Sequence, residues 1–161
     1  MKKLVIFSEE SIFSGIIKCG IAEVVDSLAN SLTSEYEVNV VCLDGHGVNG
    51  RMMTDFTTTI KGVNEGRFLK VNYFLIEKEW WPAKAVEVID LIRPDIFHNF
   101  YEPEIITKFK EKPSRSIYTF DDINFLFGKE TFLEEYDYLT TFSKNYAKEI
   151  MKQENSITKK L

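Results

Sequence analysis

Polar and reactive side chains gather at three points of the chain, each beside a short apolar run. The groups are Lys18, Cys19 and Gly20; His98, Asn99 and Tyr101; and Asp121 with Asp122. A lysine and a glycine backbone suit an anion, histidine suits proton transfer or hydrogen bonding, and carboxylates act as bases or metal ligands. We take these residues as the candidate substrate-binding positions.

Each candidate also has an ordinary structural explanation. Gly20 opens a predicted helix, where free N–H groups hold an anion or where glycine simply makes a tight turn. Lys18 either adds charge for that anion or is solvated. A nucleophilic Cys19 is disfavoured, because no histidine lies near it in sequence. His98 either faces a ligand or is satisfied within the sheet.

Hydrophobic periodicity predicts alternating strands and helices that would position these groups. The predicted strands are Leu4 to Ser8, Val38 to Leu43, Phe68 to Ile76, Asp95 to His98, Ser116 to Phe120 and Tyr138 to Phe142. The predicted helices are Gly20 to Leu32, Pro82 to Ile92, Glu102 to Lys110, Ser143 to Met151 and a short one within Lys129 to Glu135. Asp44 to Arg67 is glycine-rich, which indicates an irregular excursion carrying a strand or hairpin near Phe56 to Ile60.

Strands separated by helices imply right-handed crossovers and a parallel sheet. The expected fold class is therefore α/β: one Rossmann-like, doubly wound domain over residues 1–161 with a mainly parallel sheet. Ligands of such sheets bind beyond the carboxyl ends of the strands, where the strand order reverses. That rule selects the loop Glu9 to Gly20, the segment His98 to Glu102 and the loop that begins at Asp121. Adjacent residues of an extended segment point to opposite sides, so at most one of Asp121 and Asp122 faces a ligand.

Composition excludes several classes of protein. Of the 161 residues, 44% are hydrophobic and 28% charged, and the net charge of −5 argues against a nucleic-acid partner. The apolar run Leu4 to Phe7 is too short for a signal peptide, and no membrane span is expected. Two cysteines make neither a disulfide framework nor a zinc spacing, so we expect a reducing, cytoplasmic location. An unrelated nucleotide-binding Rossmann protein is disfavoured, because neither G-x-G-x-x-G nor a Walker motif occurs.

Four segments in the same order resemble glycogen and starch synthases. IKCGIAEVVDSLANSL is similar to the family's KTGGLADVV helix, and RPDIFHNFYEPE to its PDVVHAHDWH strand end. SIYTFDDINFLFG is similar to TIHNLAYQG, and YDYLTTFSKNYAKEIMK to DRVTTVSPTYAREI. These segments span nearly the whole chain.

The resemblance implies the N-terminal, acceptor-side half of a GT-B glycosyltransferase, a retaining hexosyltransferase. It implies a glycan acceptor, a nucleotide-sugar donor such as ADP-glucose or UDP-glucose, and no metal or other cofactor. A C-terminal donor-binding domain, in the same chain or another, is the implied partner, and the isolated chain is expected to be inactive. Trp80 and Trp81 suit stacking on a sugar ring, although packing against a helix start is the favoured explanation.

The chain departs from the family at polar positions. Ile17 stands where the family has the lysine that faces the donor phosphates, although Lys18 substitutes for it after a one-residue shift. Phe100 and Pro103 stand where the two later histidines fall, and Pro103 takes the place of the active-site one. Asp121 and Asp122 replace the histidine and asparagine of IHN. Catalytic residues are therefore unassigned, and a non-catalytic glycan-binding or interaction module is the alternative.

Overall fold

The structure, a computed structural model, describes residues 1–13, 20–45, 56–120 and 129–142. Lys18, Cys19, Asp121, Asp122 and the predicted helix Ser143 to Met151 lie outside these ranges. The strands are β1 (Lys2–Phe7), β2 (Tyr36–Leu43), β3 (Thr57–Ile60), β4 (Val63–Phe68), β5 (Val71–Ile76), β6 (Ile96–Asn99), β7 (Arg115–Phe120) and β8 (Tyr138–Thr141). The α-helices are α1 (Ile21–Ser31), α2 (Ala83–Ile92) and α3 (Glu130–Leu133). None of the helices in these ranges is long and apolar enough to cross a bilayer.

One eight-stranded sheet holds the described chain together, in the order β3-β4-β5-β2-β1-β6-β7-β8. The strands from β5 to β8 in that order pair in parallel. Numbered along the chain, these parallel strands follow the 3-2-1-4-5-6 order of dinucleotide-binding Rossmann folds. The expected mainly parallel α/β sheet is confirmed, and β1 neighbours β6 as the sequence predicted.

Alternate residues of the strands feed two hydrophobic cores, one on each face of the sheet. Val5 and Phe7 of β1 join the core under α2, whereas Leu4 and Ile6 join the core under α1. All four of these side chains are at most 3% exposed. A strand buried on both faces reads as a continuous apolar run, which explains the sequence LVIF.

An antiparallel hairpin extends the sheet beyond β5. Phe68 to Ile76 is not one strand, because the chain reverses at Leu69, where φ is 51°, and Phe68 pairs with Val71. The hairpin expected within Asp44 to Arg67 is confirmed by β3 and β4, and residues 46–55 of that excursion lie outside the described ranges. In the described part of the connection between β2 and β5, β3 and β4 form an antiparallel meander with β5.

The predicted α-helix Glu102 to Lys110 is instead a 3-10 helix over Pro103–Lys108. The Tyr136 hydroxyl donates to the Pro103 carbonyl at 2.9 Å, and the Thr107 hydroxyl donates to the Glu104 carbonyl at 2.8 Å. These side chains occupy carbonyls that an α-helix would pair with its own N–H groups. One of these hydrogen bonds is tertiary, from Tyr136, and the other is local, from Thr107.

The two long helices form where the periodicity predicts them. The buried stripe that the periodicity predicts is Ile21, Val24, Val25, Leu28, Ala29 and Leu32 in α1, and Ala83, Val86, Ile89 and Leu91 or Ile92 in α2. The observed stripes overlap with these, because Ile21, Val25 and Ala29 of α1 and Ile89 and Ile92 of α2 are buried. Val24 of α1 is 37% exposed, and Ala22 is buried in its place. Leu91 of α2 is 68% exposed, while Ala85 and Val88 are buried.

Gly62 and Gly20 form a matched pair for testing the hairpin. Both are left-handed, with φ of 82° and 76°. A Cβ on Gly62 would clash with the Trp80 ring, whereas a Cβ on Gly20 would meet nothing within 4 Å among the residues that the structure describes. We expect Gly20→Ala to lower the free energy of unfolding by about 1 kcal/mol through backbone strain. Gly62→Ala adds the clash, so its loss is expected to be at least about 2 kcal/mol.

Urea unfolding followed by circular dichroism measures both losses. The double variant Gly62→Ala, Trp80→Ala provides the control, because removing the indole ring removes the clash and leaves the strain. Equal losses for the two single variants would contradict the contact between Gly62 and Trp80.

Candidate functional site

The strand order reverses between β1 and β6, and the region beyond their carboxyl ends is where a sheet of this order is expected to bind a ligand. We call this region the crevice. Phe7 pairs with Asn99, and the Phe100 N–H donates to the Phe7 carbonyl at 2.8 Å. Beyond these residues the chain leaves β1 toward α1 on one face, whereas β6 is reached through α2 on the other. The loops that follow Phe7 and Asn99 are therefore the walls of the candidate site.

The described residues 8–13 after β1 contain buried serine side chains that bond to backbone groups of the same segment and to Cys42. Ser8 accepts a hydrogen bond from the Glu10 N–H and Ser11 accepts one from the Phe13 N–H, each at 3.1 Å. The Cys42 thiol donates to the Ser11 hydroxyl oxygen at 3.0 Å. Burial raises the pKa of Cys42 to about 12, so the thiol stays protonated and unreactive at neutral pH. The hydrogen bonds of Ser8, Ser11 and Cys42 hold the segment after β1 in its conformation.

Gly20 is the N-cap of α1 and makes the turn into the helix. Its φ of 76° belongs to the left-handed region, which glycine adopts at little cost. No side chain caps the helix start in the described ranges, and Glu23 lies in the first turn. The left-handed turn into α1 therefore explains the glycine at position 20 without a bound ligand.

His98 lies on the α1 face of β6 and begins a chain of hydrogen bonds across three strands. Its Nε2 is 2.7 Å from the Thr119 hydroxyl, which is 2.6 Å from the Thr140 hydroxyl. The imidazole also stacks on Phe100, with ring centroids 4.5 Å apart. Burial lowers the pKa of His98 to about 4, so the ring is neutral at neutral pH.

Asn99 points to the opposite face of β6 and is fully buried. Its Nδ2 donates to the Tyr136 hydroxyl at 2.6 Å and to the Glu102 carbonyl at 3.0 Å. Its Oδ1 accepts from the Tyr101 N–H at 2.7 Å. The side chain therefore fixes the loop that carries Tyr101 and Glu102.

Tyr101 is half-buried in an aromatic cluster at the edge of the crevice. Its ring meets Trp81 edge-on with centroids 5.3 Å apart, and Trp81 stacks on Phe7 at 5.1 Å. Burial raises the pKa of Tyr101, and the Glu102 and Glu9 carboxylates add to that effect. Tyr101 is thus in the field of two carboxylates at this edge.

Three charged residues complete this edge: Glu102, at the end of the predicted segment, and Glu104 and Lys129, which the sequence did not single out. Lys129 Nζ lies 3.5 Å from Glu102 Oε2 and 3.2 Å from Glu104 Oε1. The signal in the sequence was the pair Glu102 and Glu104 directly after a strand, but it was assigned to a helix. Within the described ranges, no group of three or more histidine, cysteine or acidic side chains is arranged to hold a metal.

The structure therefore separates the second group of candidates. His98 and Asn99 face opposite cores, and Tyr101 follows Asn99 into the crevice.

The class defined here is an α/β protein with a mainly parallel sheet of Rossmann-like strand order. No protein-family model and no curated protein matches the chain.

The neutral state of His98 makes stability depend on pH. A histidine whose pKa falls from 6.5 to about 4 on folding contributes stability fully above pH 6.5. This contribution is lost as the pH falls through 6.5 toward 4. Between pH 7 and 4, wild type is expected to lose about 3 kcal/mol more unfolding free energy than His98→Gln. Urea titrations at both pH values measure this, and an identical pH dependence would argue against a buried neutral ring.

The role of Asn99 is tested by removing its amide. Asn99→Ala leaves the Glu102 carbonyl and the Tyr101 N–H without this partner, so a loss of about 2 kcal/mol in unfolding free energy is expected. Asn30 supplies the matched control, because its amide donates to the Asp26 carbonyl on the partly exposed side of α1. Asn30→Ala is expected to change stability by less than about 0.5 kcal/mol. Comparable losses in thermal unfolding would show that Asn99 has no special role.

Proposed function

We propose that this chain is the acceptor-side domain of a retaining GT-B glycosyltransferase of the glycogen and starch synthase type. The domain binds a glycan acceptor, and a C-terminal domain, in the same chain or another, supplies the donor, a nucleotide sugar such as ADP-glucose or UDP-glucose. Sugar transfer in this arrangement requires both domains to close around the donor, because each positions part of the reaction. We assign no catalytic residue to this chain.

The observation that carries the proposal is the reversal of strand order at β1 and β6. It puts the resembling segments that contain Gly20 and His98 on neighbouring elements, as the acceptor-side half of such an enzyme requires. A parallel sheet with this order binds its ligand at the reversal, whatever the chemistry. Because fold alone does not define function, the side chains at the crevice have to support the same conclusion.

Those side chains suit a neutral, ring-shaped ligand with hydroxyl groups. Trp81 and Tyr101 offer aromatic rings, and Glu102 offers a carboxylate beside them. Aromatic rings pack on the apolar faces of sugars, while carboxylates accept hydrogen bonds from hydroxyl groups. Cys42 is a free thiol, which agrees with the proposed cytoplasmic location.

A second candidate, a non-catalytic glycan-binding or interaction module, is favoured by two positions. Phe100 is 7% exposed and packs in the α1-side core, and Pro103 is buried at the start of the 3-10 helix. The resembling family has histidines at both positions, including its active-site one. Neither residue here can move a proton, so binding without transfer is the natural outcome of these replacements.

Calorimetry and a transfer assay test the two candidates. Titrating maltoheptaose into the chain is expected to give saturable heat, whereas ADP-glucose and UDP-glucose are expected to bind weakly without their own domain. Adding the GT-B C-terminal domain encoded with the chain is expected to produce transfer of labelled glucose to the glucan.

The outcomes separate the proposals. Glucan binding with transfer supports the transferase, and glucan binding without transfer on addition of that domain supports the binding module. No heat with any glucan contradicts both.

A further inference from the structure

Two glutamates and a lysine form a small cluster of charges at the edge of the crevice. Glu102 precedes the 3-10 helix, Glu104 lies in the first turn of that helix, and Lys129 precedes α3. Lys129 Nζ is 3.5 Å from Glu102 Oε2 and 3.2 Å from Glu104 Oε1. One ammonium group therefore contacts two carboxyl groups, and it links the loop after β6 to the start of α3.

One oxygen of this cluster lacks a hydrogen-bond donor. In the described part of the chain, Glu104 Oε2 is buried and has no hydrogen-bond partner. The other oxygen of the same carboxyl group, Oε1, faces Lys129. Leaving a buried acceptor unsatisfied costs free energy, so a donor within reach is expected to be used.

The donor within reach is the carboxyl group of Glu102. The side chains of Glu102 and Glu104 are close enough for a hydrogen bond that acts on the pKa of both. Ionised carboxylates only accept hydrogen bonds, so a bond between these two groups requires a proton on one of them. Two carboxyl groups in such contact release their protons in two separate steps.

The surroundings decide which glutamate carries the proton. Burial first, and then the neighbouring Glu104, raise the pKa of Glu102 against the opposing effect of Lys129. Burial also acts to raise the pKa of Glu104, but its own backbone N–H, Glu102 and Lys129 outweigh burial and lower it. Glu102 therefore holds the proton to higher pH, and Glu104 is the ionised acceptor.

Two tyrosines and one further glutamate complete the ionisable surroundings of the pair in the described ranges. Burial raises the pKa of Tyr101 and of Tyr136 above the usual value of 10.0, and Glu102 and Glu104 add to the effect on Tyr101 and Tyr136 respectively. Both hydroxyl groups therefore stay neutral in acid. Glu9 faces Tyr101 from the segment after β1, and it is left unchanged in every variant compared here.

We propose that Glu102 and Glu104 share one proton, with the Glu102 carboxyl donating to Glu104 Oε2 and Lys129 neutralising the charge that remains. Binding of this proton satisfies the buried oxygen and removes the repulsion between two carboxylates. It therefore strengthens the contact between the loop after β6 and the start of α3, and loss of the proton at higher pH reverses both effects. This pH-sensitive contact at the edge of the crevice is independent of glycan binding.

Glu102→Gln tests the shared proton, because its amide N–H can donate to Glu104 at every pH. The proton on Glu102 contributes stability fully below the ordinary pKa of 4.5, and this contribution is lost as the pH rises through the raised pKa. We expect wild type and Glu102→Gln to have similar urea midpoints at pH 4.5, whereas the variant has the higher midpoint at pH 7. The pH dependence that His98 causes cancels, because both proteins contain it.

The matched control is Glu135→Gln, which also removes one carboxylate but breaks an exposed ion pair with Lys112 at 2.7 Å. Its urea midpoint at pH 7 is expected to equal that of wild type or to lie below it. Circular dichroism verifies that each variant is folded. A Glu102→Gln midpoint at pH 7 no higher than that of wild type overturns the proposal.

Carbon-13 NMR of the glutamate side chains locates the proton directly. Glu102 is expected to titrate above pH 4.5 in wild type and at lower pH in Glu104→Gln, which offers no anionic acceptor. Lys129→Met is expected to raise the pKa of both carboxyl groups, because the ammonium group no longer favours their ionised forms. A Glu102 that titrates at or below pH 4.5 in wild type, or at the same pH in Glu104→Gln, excludes the shared proton whatever the urea midpoints are.

Discussion

Strand β1 is hydrogen-bonded on both edges and buried on both faces, and the rest of the structure is arranged around it. Its parallel pairing with β2 on one side and β6 on the other creates the reversal of strand order. Its alternating side chains hold α1 to one face and α2 to the other, because each face must be covered by apolar surface. The position of the crevice follows from this one strand.

The crevice is shaped by buried hydrogen bonds that begin where β6 ends. Asn99 and Tyr136 bond to each other and to backbone groups of residues 101–103, and this network turns the chain outward. The 3-10 helix that follows carries Glu104, which pairs with Lys129. Buried polar groups thus decide which side chains reach the edge. The rings of Trp81 and Tyr101 and the carboxylates of Glu102 and Glu104 lie at this edge together.

His98 illustrates how topology separates sequence neighbours. In the sequence, His98, Asn99 and Tyr101 form a single polar group after a strand. In the fold, His98 enters a ladder of threonine hydroxyls on the α1 side, whereas Asn99 supports the opposite side. Their alternation is a property of extended chain, but what lies on each face depends on distant strands. Burial then removes the positive charge that an exposed histidine would gain in mild acid.

The sequence by itself determined the α/β class, most strands, the two long helices and the neighbouring positions of β1 and β6, because these depend on local periodicity and on general crossover rules. Only the tertiary structure decided which other residues of α1 and α2 are buried, the reversal at Leu69 and the 3-10 geometry after Glu102. It also brought Trp81 and Lys129 to Tyr101. These features arise from contacts between residues far apart in the chain, such as Pro103 with Tyr136. Local sequence patterns do not encode such contacts.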